Sequence, residues 1–201
     1  MKKFRFLALV VVAVLIAAFA VSAYTEGEPP VLGAGDPAMQ AAEPAKETKG
    51  FVWAALAICI ALILPGVGSA LSVGMAGRAA AGVSAEDPEK GGACLVFELL
   101  PATQGLYGFV VAIFIAMGCG IVGGGDFFAL SAEKGLSYLY GALPIGIVGI
   151  VSAYFQARVC CAGIGIVAKQ GNGGMGITYA IMVELYAILA LIISILMVTG
   201  V

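Results

Sequence analysis

The sequence predicts an all-α membrane protein whose core is four transmembrane helices, arranged as two tandem, parallel hairpins. The chain is 62% hydrophobic and only 11% charged, whereas a soluble domain is about 45–50% apolar and about 25% charged. An internal repeat, described below, divides the apolar part into two similar units. Four apolar segments, each longer than the ~20 residues that span a bilayer, lie at 51–76, 93–121, 136–168 and 176–199.

The N-terminus has the layout of a secretory signal. Lys2, Lys3 and Arg5 precede an apolar stretch, and Val21-Ser22-Ala23 follows it as a small-x-small cleavage site. We therefore expect residues 1–23 to be a signal peptide; the alternative is an extra, uncleaved membrane helix. Residues 24–50 are polar, rich in Pro, Ala, Glu and Gly, and predict an extracytoplasmic linker.

Charged residues near the loops predict the orientation in the cell membrane. Export of the N-terminus places the first and third loops in the cytoplasm, and the N- and C-termini outside. Arg78, Lys90, Arg158 and Lys169 flank those two loops, which agrees with the positive-inside rule. We expect Arg78 and Arg158 to mark the cytoplasmic ends of the first and third helices.

The internal repeat appears when the chain is shifted by 80 residues against itself. Arg78 then meets Arg158, and Gln104 meets Glu184, without a gap. An even number of spans in each unit makes the copies parallel, which disfavours the inverted-repeat transporter folds. The predicted units are a first hairpin at 51–121 and a second hairpin at 136–201.

One carboxylate stands alone inside the fourth apolar segment. Glu184 follows apolar residues 177–183 and precedes apolar residues 185–198. An unpaired charge there costs about 2.5–3.5 kcal/mol on insertion scales, so an intramembrane acid is a functional candidate by default. The repeat places Gln104 at the same depth, and Gln156 lies inside the third segment.

The second segment adds a polar stripe at helical spacing. Its residues are separated by three, four and seven positions and therefore share one helix face: they are Leu100, Thr103, Gln104 and Tyr107. Carboxylate, amide, hydroxyl and backbone oxygens are hard ligands that suit a hard cation. A single negative charge fits a monovalent ion, whereas a proton needs only the carboxylate and one hydrogen-bond partner. Taken singly, Thr103, Gln104 and Gln156 are also explained as interhelical hydrogen-bond partners, worth about 0.6 kcal/mol each.

Three further features complete the pattern. Glu98 lies nearer the cytoplasmic end of its helix and some 240° around from Gln104, and we expect it at the headgroup level or between subunits. The five cysteines, none in a CxxC pair, are interpreted as small apolar residues of helix interfaces. Small-xxx-small spacings in the first and third helices predict close helix contacts. One four-helix chain is too small to enclose a path through the membrane, so we expect many copies to form a ring.

The segments "LLPATQGLYGF", "FQARVCCAGI" and "MVELYAIL", with the loop "GMAGRAAAGVSAEDPEKGG", resemble the duplicated proteolipid (K or c) subunit of bacterial and archaeal V-type ATPases. The resemblance covers nearly all of residues 51–201. It implies a membrane ring of identical subunits, turned by ATP hydrolysis in a soluble sector or driving synthesis in reverse. It also implies a membrane stator subunit and central-stalk subunits as partners, with lipid around the ring.

In the sodium-carrying members of that family, the ion is held by a leucine carbonyl, a threonine, two glutamines and a glutamate, and a tyrosine steadies the carboxylate. The matching positions here are Leu100, Thr103, Gln104, Gln156, Glu184 and Tyr107. The resemblance therefore implies Na⁺ as the transported ion, with a proton-carrying version of the same rotor as the alternative. Glu98 and Leu185 depart from the pattern.

No organic cofactor and no nucleic acid are expected. The net charge is −2, which argues against a nucleic-acid partner, and the chain has no phosphate-binding loop. We therefore expect a non-catalytic subunit without an ATP site. A self-assembling channel without a motor is a competing hypothesis, but it does not explain why the duplication keeps Gln104 opposite Glu184.

Overall fold

The computed structural model describes residues 50–201, and these residues form five α-helices. The predicted signal segment 1–23 and almost all of the predicted linker 24–50 lie outside the described residues. Helices α2 and α3 are separated by a 3₁₀ turn, Leu100–Ala102, and together form one span. The helices are α1 (Gly50–Glu86), α2 (Gly91–Leu99), α3 (Thr103–Gly118), α4 (Ala132–Gln170) and α5 (Gly174–Thr199).

Within residues 50–201, four helical stretches are long and apolar enough to cross a membrane, which confirms the predicted fold class. α1 and the α2–α3 span form the first hairpin, and α4 and α5 form the second. Large apolar side chains remain exposed on α2 and α5, among them Leu99 (68%), Tyr186 (66%) and Leu189 (60%). Lipid or neighbouring subunits cover such a surface in a membrane protein. The spans are Gly50–Glu86, Pro88–Gly118, Ala132–Gln170 and Gly174–Thr199.

Two of the helices extend well beyond their apolar segments. α1 continues for eight residues past Arg78, and α4 continues for twelve residues past Arg158. The prediction that these arginines mark the helix ends is therefore wrong. The alanine-rich stretch after Arg78 favours helix, while Gly171, at φ 71°, ends α4 as a left-handed cap.

The first and third spans, α1 and α4, approach each other closely along small residues. A Cβ atom added at Gly68 would lie 2.8 Å from the Ile150 Cα, and one at Gly146 would lie 2.9 Å from the Ile60 Cγ2. The backbones therefore meet with no room for a methyl group, as small residues allow in membrane helices. Three of the five cysteines, Cys94, Cys119 and Cys160, are buried, whereas Cys59 is exposed.

A proline interrupts the second span. Pro101 has no N–H group, and its ring clashes with the carbonyl four residues earlier, so a continuous α-helix is disfavoured there. The chain instead makes the 3₁₀ turn Leu100–Ala102 and restarts as α3 at Thr103. This break places Thr103 and Gln104 in the first turn of α3, from which the Gln104 side chain reaches Gln156 of the other hairpin.

Candidate ion-binding site

Three buried polar side chains meet where α3, α4 and α5 pack together. Gln104 on α3 and Gln156 on α4 are fully buried, and Glu184 on α5 is 8% exposed. Tyr107, one turn along α3 from Gln104, reaches the same cluster. The structure therefore brings four of the predicted site residues into one hydrogen-bonded group that joins the two hairpins.

The Glu184 carboxylate receives a donor on each oxygen. The Tyr107 hydroxyl donates to Oε1 at 2.7 Å, and the Gln156 Nε2 donates to Oε2 at 3.4 Å. An ionised carboxylate only accepts hydrogen bonds, and donors of this kind stabilise its charged form. Each carboxylate oxygen therefore has a donor from a different helix, α3 for Oε1 and α4 for Oε2.

Gln156 links all three helices through its amide. Its Nε2 also donates to the Ala180 carbonyl at 3.2 Å, and its Oε1 accepts a 2.5 Å hydrogen bond from the Gln104 Nε2. Both ends of the Gln156 side chain are therefore engaged. Its position depends on α3 and α5 together, because one partner comes from each.

The Gln104 carbonyl oxygen is buried without a hydrogen-bond donor. Among the described residues, only Gln104 Oε1 and Ser72 Oγ are buried side-chain polar atoms with no partner. A buried acceptor left unpaired costs about 1–3 kcal/mol. An unpaired carbonyl oxygen in the same cluster as the Glu184 carboxylate is the kind of ligand that a hard monovalent cation takes.

Thr103 and Leu100 pair with each other at the helix break. The Thr103 hydroxyl donates to the Leu100 carbonyl at 2.9 Å, and the Thr103 backbone N–H donates to the same oxygen. The Leu100 carbonyl thus has both lone pairs engaged, while the Thr103 hydroxyl oxygen keeps its own lone pairs for a cation. No hydrogen bond connects these two residues to Glu184 within residues 50–201.

Two serines that touch the site's backbone were not among the predicted site residues. The Ser69 Oγ on α1 accepts a 2.8 Å hydrogen bond from the Gly105 N–H, next to Gln104. The Ser152 Oγ on α4 donates to the Val183 carbonyl at 3.2 Å, next to Glu184. In the sequence both serines lie in small-residue stretches whose pattern indicates packing, and the partner atoms are backbone groups that carry no sequence signal.

Glu98 lies apart from the cluster, on the other side of the break. Its side chain is half-buried on α2 and lies across Gly77 of α1, where an added Cβ would come within 2.8 Å of its Oε1. Gln104 is six residues further along the chain. Its place at the headgroup level or between subunits stays a prediction.

Comparisons with known proteins give the two hairpins a common family. The family model for the ATP synthase C subunit matches the chain twice, at residues 56–115 and 139–197. The two matches fall on the two hairpins and agree with the internal repeat.

Two relatives align over most of the described residues. The chain is 45% identical over 150 residues to the V-type sodium ATPase subunit K of Enterococcus hirae, covering 74% of this chain and 92% of that protein. It is 39% identical over 153 residues to the A-type ATP synthase subunit K of Methanocaldococcus jannaschii, covering 76% of this chain and 62% of that protein. A duplicated, membrane-spanning hairpin matched in both copies, with relatives of this similarity, shows that the chain belongs to the ATP synthase C-subunit family.

Proposed function

We propose that this protein is the ion-translocating rotor-ring subunit of a V-type ATPase or ATP synthase and carries Na⁺ across the membrane on Glu184. The single observation that carries the proposal is that the buried Glu184 carboxylate and the buried, unpaired Gln104 Oε1 belong to one hydrogen-bonded cluster, joined through Gln156. Family membership and the name of the Enterococcus hirae relative, a sodium ATPase subunit, support it.

A bound sodium ion would neutralise the charge of Glu184 inside the membrane. A charged Glu184 inside the bilayer is costly, and a sodium ion that enters the membrane loses its water and needs several oxygens in return. Bound together they form a neutral unit that can travel through lipid as the ring turns. Release follows where the carboxylate meets a charge on the membrane stator subunit.

Each site residue has a proposed role drawn from its position. Glu184 supplies the charge, and Tyr107 steadies its Oε1 through the 2.7 Å hydrogen bond. Neutral oxygens come from Gln104, Gln156 and Thr103. The Leu100 carbonyl would join them once the Thr103 hydroxyl proton turns away from it, because that carbonyl now accepts two hydrogen bonds.

The number of neutral oxygens favours sodium over a proton. A proton converts Glu184 to a neutral acid and needs one hydrogen-bond acceptor at most. The two amides and the hydroxyl proposed as ligands exceed that need, whereas a dehydrated sodium ion uses all of them. The unpaired Gln104 Oε1 is an acceptor that a proton on Glu184 does not require.

The ring assembly and its partners follow from the same proposal. Identical subunits would pack through the exposed faces of this chain, with lipid covering the remainder. The long ends of α1 and α4 would present the cytoplasmic loops to central-stalk subunits. The N- and C-termini would lie outside the cell membrane, with residues 1–23 as signal peptide, 24–50 as linker, and hairpins at 51–121 and 136–201.

Sodium-22 binding to the isolated ring across pH tests the proposal. We expect saturable binding at alkaline pH, where Glu184 is free of its proton, and competition by protons as the pH falls. The absence of saturable sodium binding at alkaline pH would reject sodium as the ion and leave the proton-carrying rotor.

A further inference from the structure

Helix α3 begins without a capping side chain of its own. The first N–H groups of an α-helix have no intrahelical partner, and an Ncap Ser, Thr, Asp or Asn usually accepts from the second or third residue. Here the N-cap residue is Ala102, which makes no side-chain cap hydrogen bond. Its side chain has no oxygen, so this position supplies no side-chain cap, although the Thr103 N–H is satisfied by the Leu100 carbonyl of the preceding turn.

A neighbouring helix supplies that cap. The Ser69 Oγ of α1 accepts the Gly105 N–H at 2.8 Å, and Gly105 is the third residue of α3. Ser69 is 6% exposed, so water does not readily replace it. The bond therefore does for α3 what an N-cap side chain normally does, but it also joins α3 to a different helix.

The contact around this bond leaves little freedom for α3 to shift. A Cβ added at Gly105 would lie 3.2 Å from both the Cβ and the Oγ of Ser69. One turn further, a Cβ at Gly108 would overlap the Ala61 carbonyl oxygen and the ring of Pro65. The depth and rotation of the first turn of α3 are thus set by its contacts with α1.

We propose that Ser69 is a positioning residue of the ion site, which caps α3 from α1 and thereby fixes the position of Gln104 in the cluster with Gln156 and Glu184. The inference rests on the proposed function, because it takes the unpaired Gln104 Oε1 to meet the cation. Ser69 itself does not touch the ion. It acts through the backbone of Gly105, the residue that follows Gln104.

The second hairpin braces its own site residue by a related contact. The Ser152 Oγ donates to the carbonyl of Val183, the residue before Glu184. Ser69 and Ser152 are not equivalent in the repeat, since Ser152 corresponds to Ser72, whose Oγ has no partner among residues 50–201. Each hairpin therefore has its own serine contact, and neither contact is a simple copy of the other.

The chain offers a matched control for a purely structural role. The Ser194 Oγ on α5 accepts the N–H of Ile145, directly after Pro144, in a buried bond of 3.1 Å. In both contacts a serine oxygen accepts a backbone N–H of another helix. Ser194 lies ten residues from Glu184, about 15 Å along the helix, so its loss should affect stability without affecting the site.

The test compares intact rings carrying Ser69→Ala, Ser194→Ala or Ser72→Ala with the wild type. Sodium-22 affinity at alkaline pH, amide hydrogen exchange at Gly105 and the thermal midpoint of ring dissociation are measured for each. For Ser69→Ala we expect a sodium Kd raised about fivefold, the fold-change that corresponds to a typical lost cap, and faster exchange at Gly105. Ser194→Ala should lower the thermal midpoint with a Kd within about twofold of wild type, and Ser72→Ala should leave the Kd and the Gly105 exchange unchanged.

Every outcome decides the proposal. An unchanged sodium Kd in Ser69→Ala, or an equal loss of affinity in Ser194→Ala, would overturn the positioning role. If Ser69→Ala does not assemble, Ser69→Cys keeps nearly the same volume with a weaker acceptor and should shift the Kd in the same direction.

The proposed function can fail separately. In that case the wild-type ring shows no saturable sodium binding, and the cap is judged by hydrogen exchange alone. Gly105 exchange that does not respond to Ser69→Ala would then overturn the inference, while faster exchange would retain Ser69 as the brace of α3.

Discussion

The Tyr107 hydroxyl on α3 donates a 2.7 Å hydrogen bond to the Glu184 Oε1 on α5 and so connects the two hairpins at the depth of the buried carboxylate. The bond orients an oxygen that the proposed function assigns to the cation. It therefore couples the position of the ion-carrying group to the packing of the first hairpin.

Removing that hydroxyl should weaken ion binding without preventing assembly. Tyr107→Phe keeps the aromatic side chain and its packing but deletes a hydrogen bond to a charged group, a contact worth about 1.5–3 kcal/mol. We expect the sodium Kd of the isolated ring to rise at least about tenfold. Tyr186→Phe is the control, since Tyr186 is 66% exposed on α5; equal effects of the two variants would contradict the role of Tyr107.

Glu184→Gln should abolish ion transport while the ring still assembles. The amide is nearly the same size as the carboxylate but carries no charge to balance a cation. Transport by reconstituted complex and ring size by native mass spectrometry measure the two properties. Glu98→Gln, which neutralises the acid of α2, should retain transport; wild-type-like transport by Glu184→Gln would eliminate Glu184 as the carrier.

Gln104→Leu should separate sodium binding from protonation. The change deletes the unpaired Gln104 Oε1 and one donor to Gln156, but it leaves the Tyr107 contact to Glu184 in place. We expect sodium affinity to fall at least about tenfold, as for other lost contacts to a charged group. The pH dependence of carbodiimide modification of Glu184, measured without sodium, should change much less.

Wild-type ring provides the reference for that experiment. Sodium should protect Glu184 from the carbodiimide in the wild type and protect it far less in Gln104→Leu. Modification that is indifferent to sodium in the wild type would favour a proton carrier.

The loop between α1 and α2 should loosen at low pH. The Lys90 Nζ donates to the Ala168 carbonyl of α4 at 3.0 Å and pairs with the Asp87 Oδ2 at 3.0 Å. The hydrogen bond with Lys90 holds the pKa of Asp87 below its usual range. Because the folded-state pKa is lowered, the stabilisation is present above the usual aspartate pKa of about 3.9 and is lost as the pH falls through the lowered value.

Hydrogen exchange of residues 86–91 measures this loop. We expect Asp87→Asn to raise the exchange rate of this loop at neutral pH and to lack the acid-dependent increase expected of the wild type. The sodium Kd should stay within about twofold of wild type, because exposed ion pairs act locally. An unchanged pH profile in Asp87→Asn would show that the pair does not hold the loop.

The membrane architecture was predictable because hydropathy and the cost of burying charge are local properties. Four apolar segments indicated four spans, and Glu184 was conspicuous since a lone acid in an apolar run requires an explanation. Helix spacing placed Gln104 and Tyr107 on one face, and the 80-residue repeat set Gln104 level with Glu184. None of these steps needs a distance between helices.

The positions of the helix ends were less predictable from the sequence. Arg78 and Arg158 lie inside α1 and α4, because these helices leave the apolar segments and continue on helix-favouring residues until a proline or a left-handed glycine stops them. Charge marks a boundary in hydropathy, whereas backbone hydrogen bonding determines where a helix ends. The two boundaries differ by two to three turns here.

The sequence by itself determined which residues are polar at the depth of Glu184, and only the tertiary structure decided how they are paired. The Gln104–Gln156 bond, the unpaired Gln104 Oε1 and the Thr103–Leu100 pair depend on helix rotations set by contacts such as Gly68 on Ile150. Ser69 was missed for the same reason, since its partner is a backbone N–H exposed by the Pro101 break. The sequence specifies which side chains are present, but the ångström-scale separations that select one hydrogen-bond partner over another arise when whole helices pack.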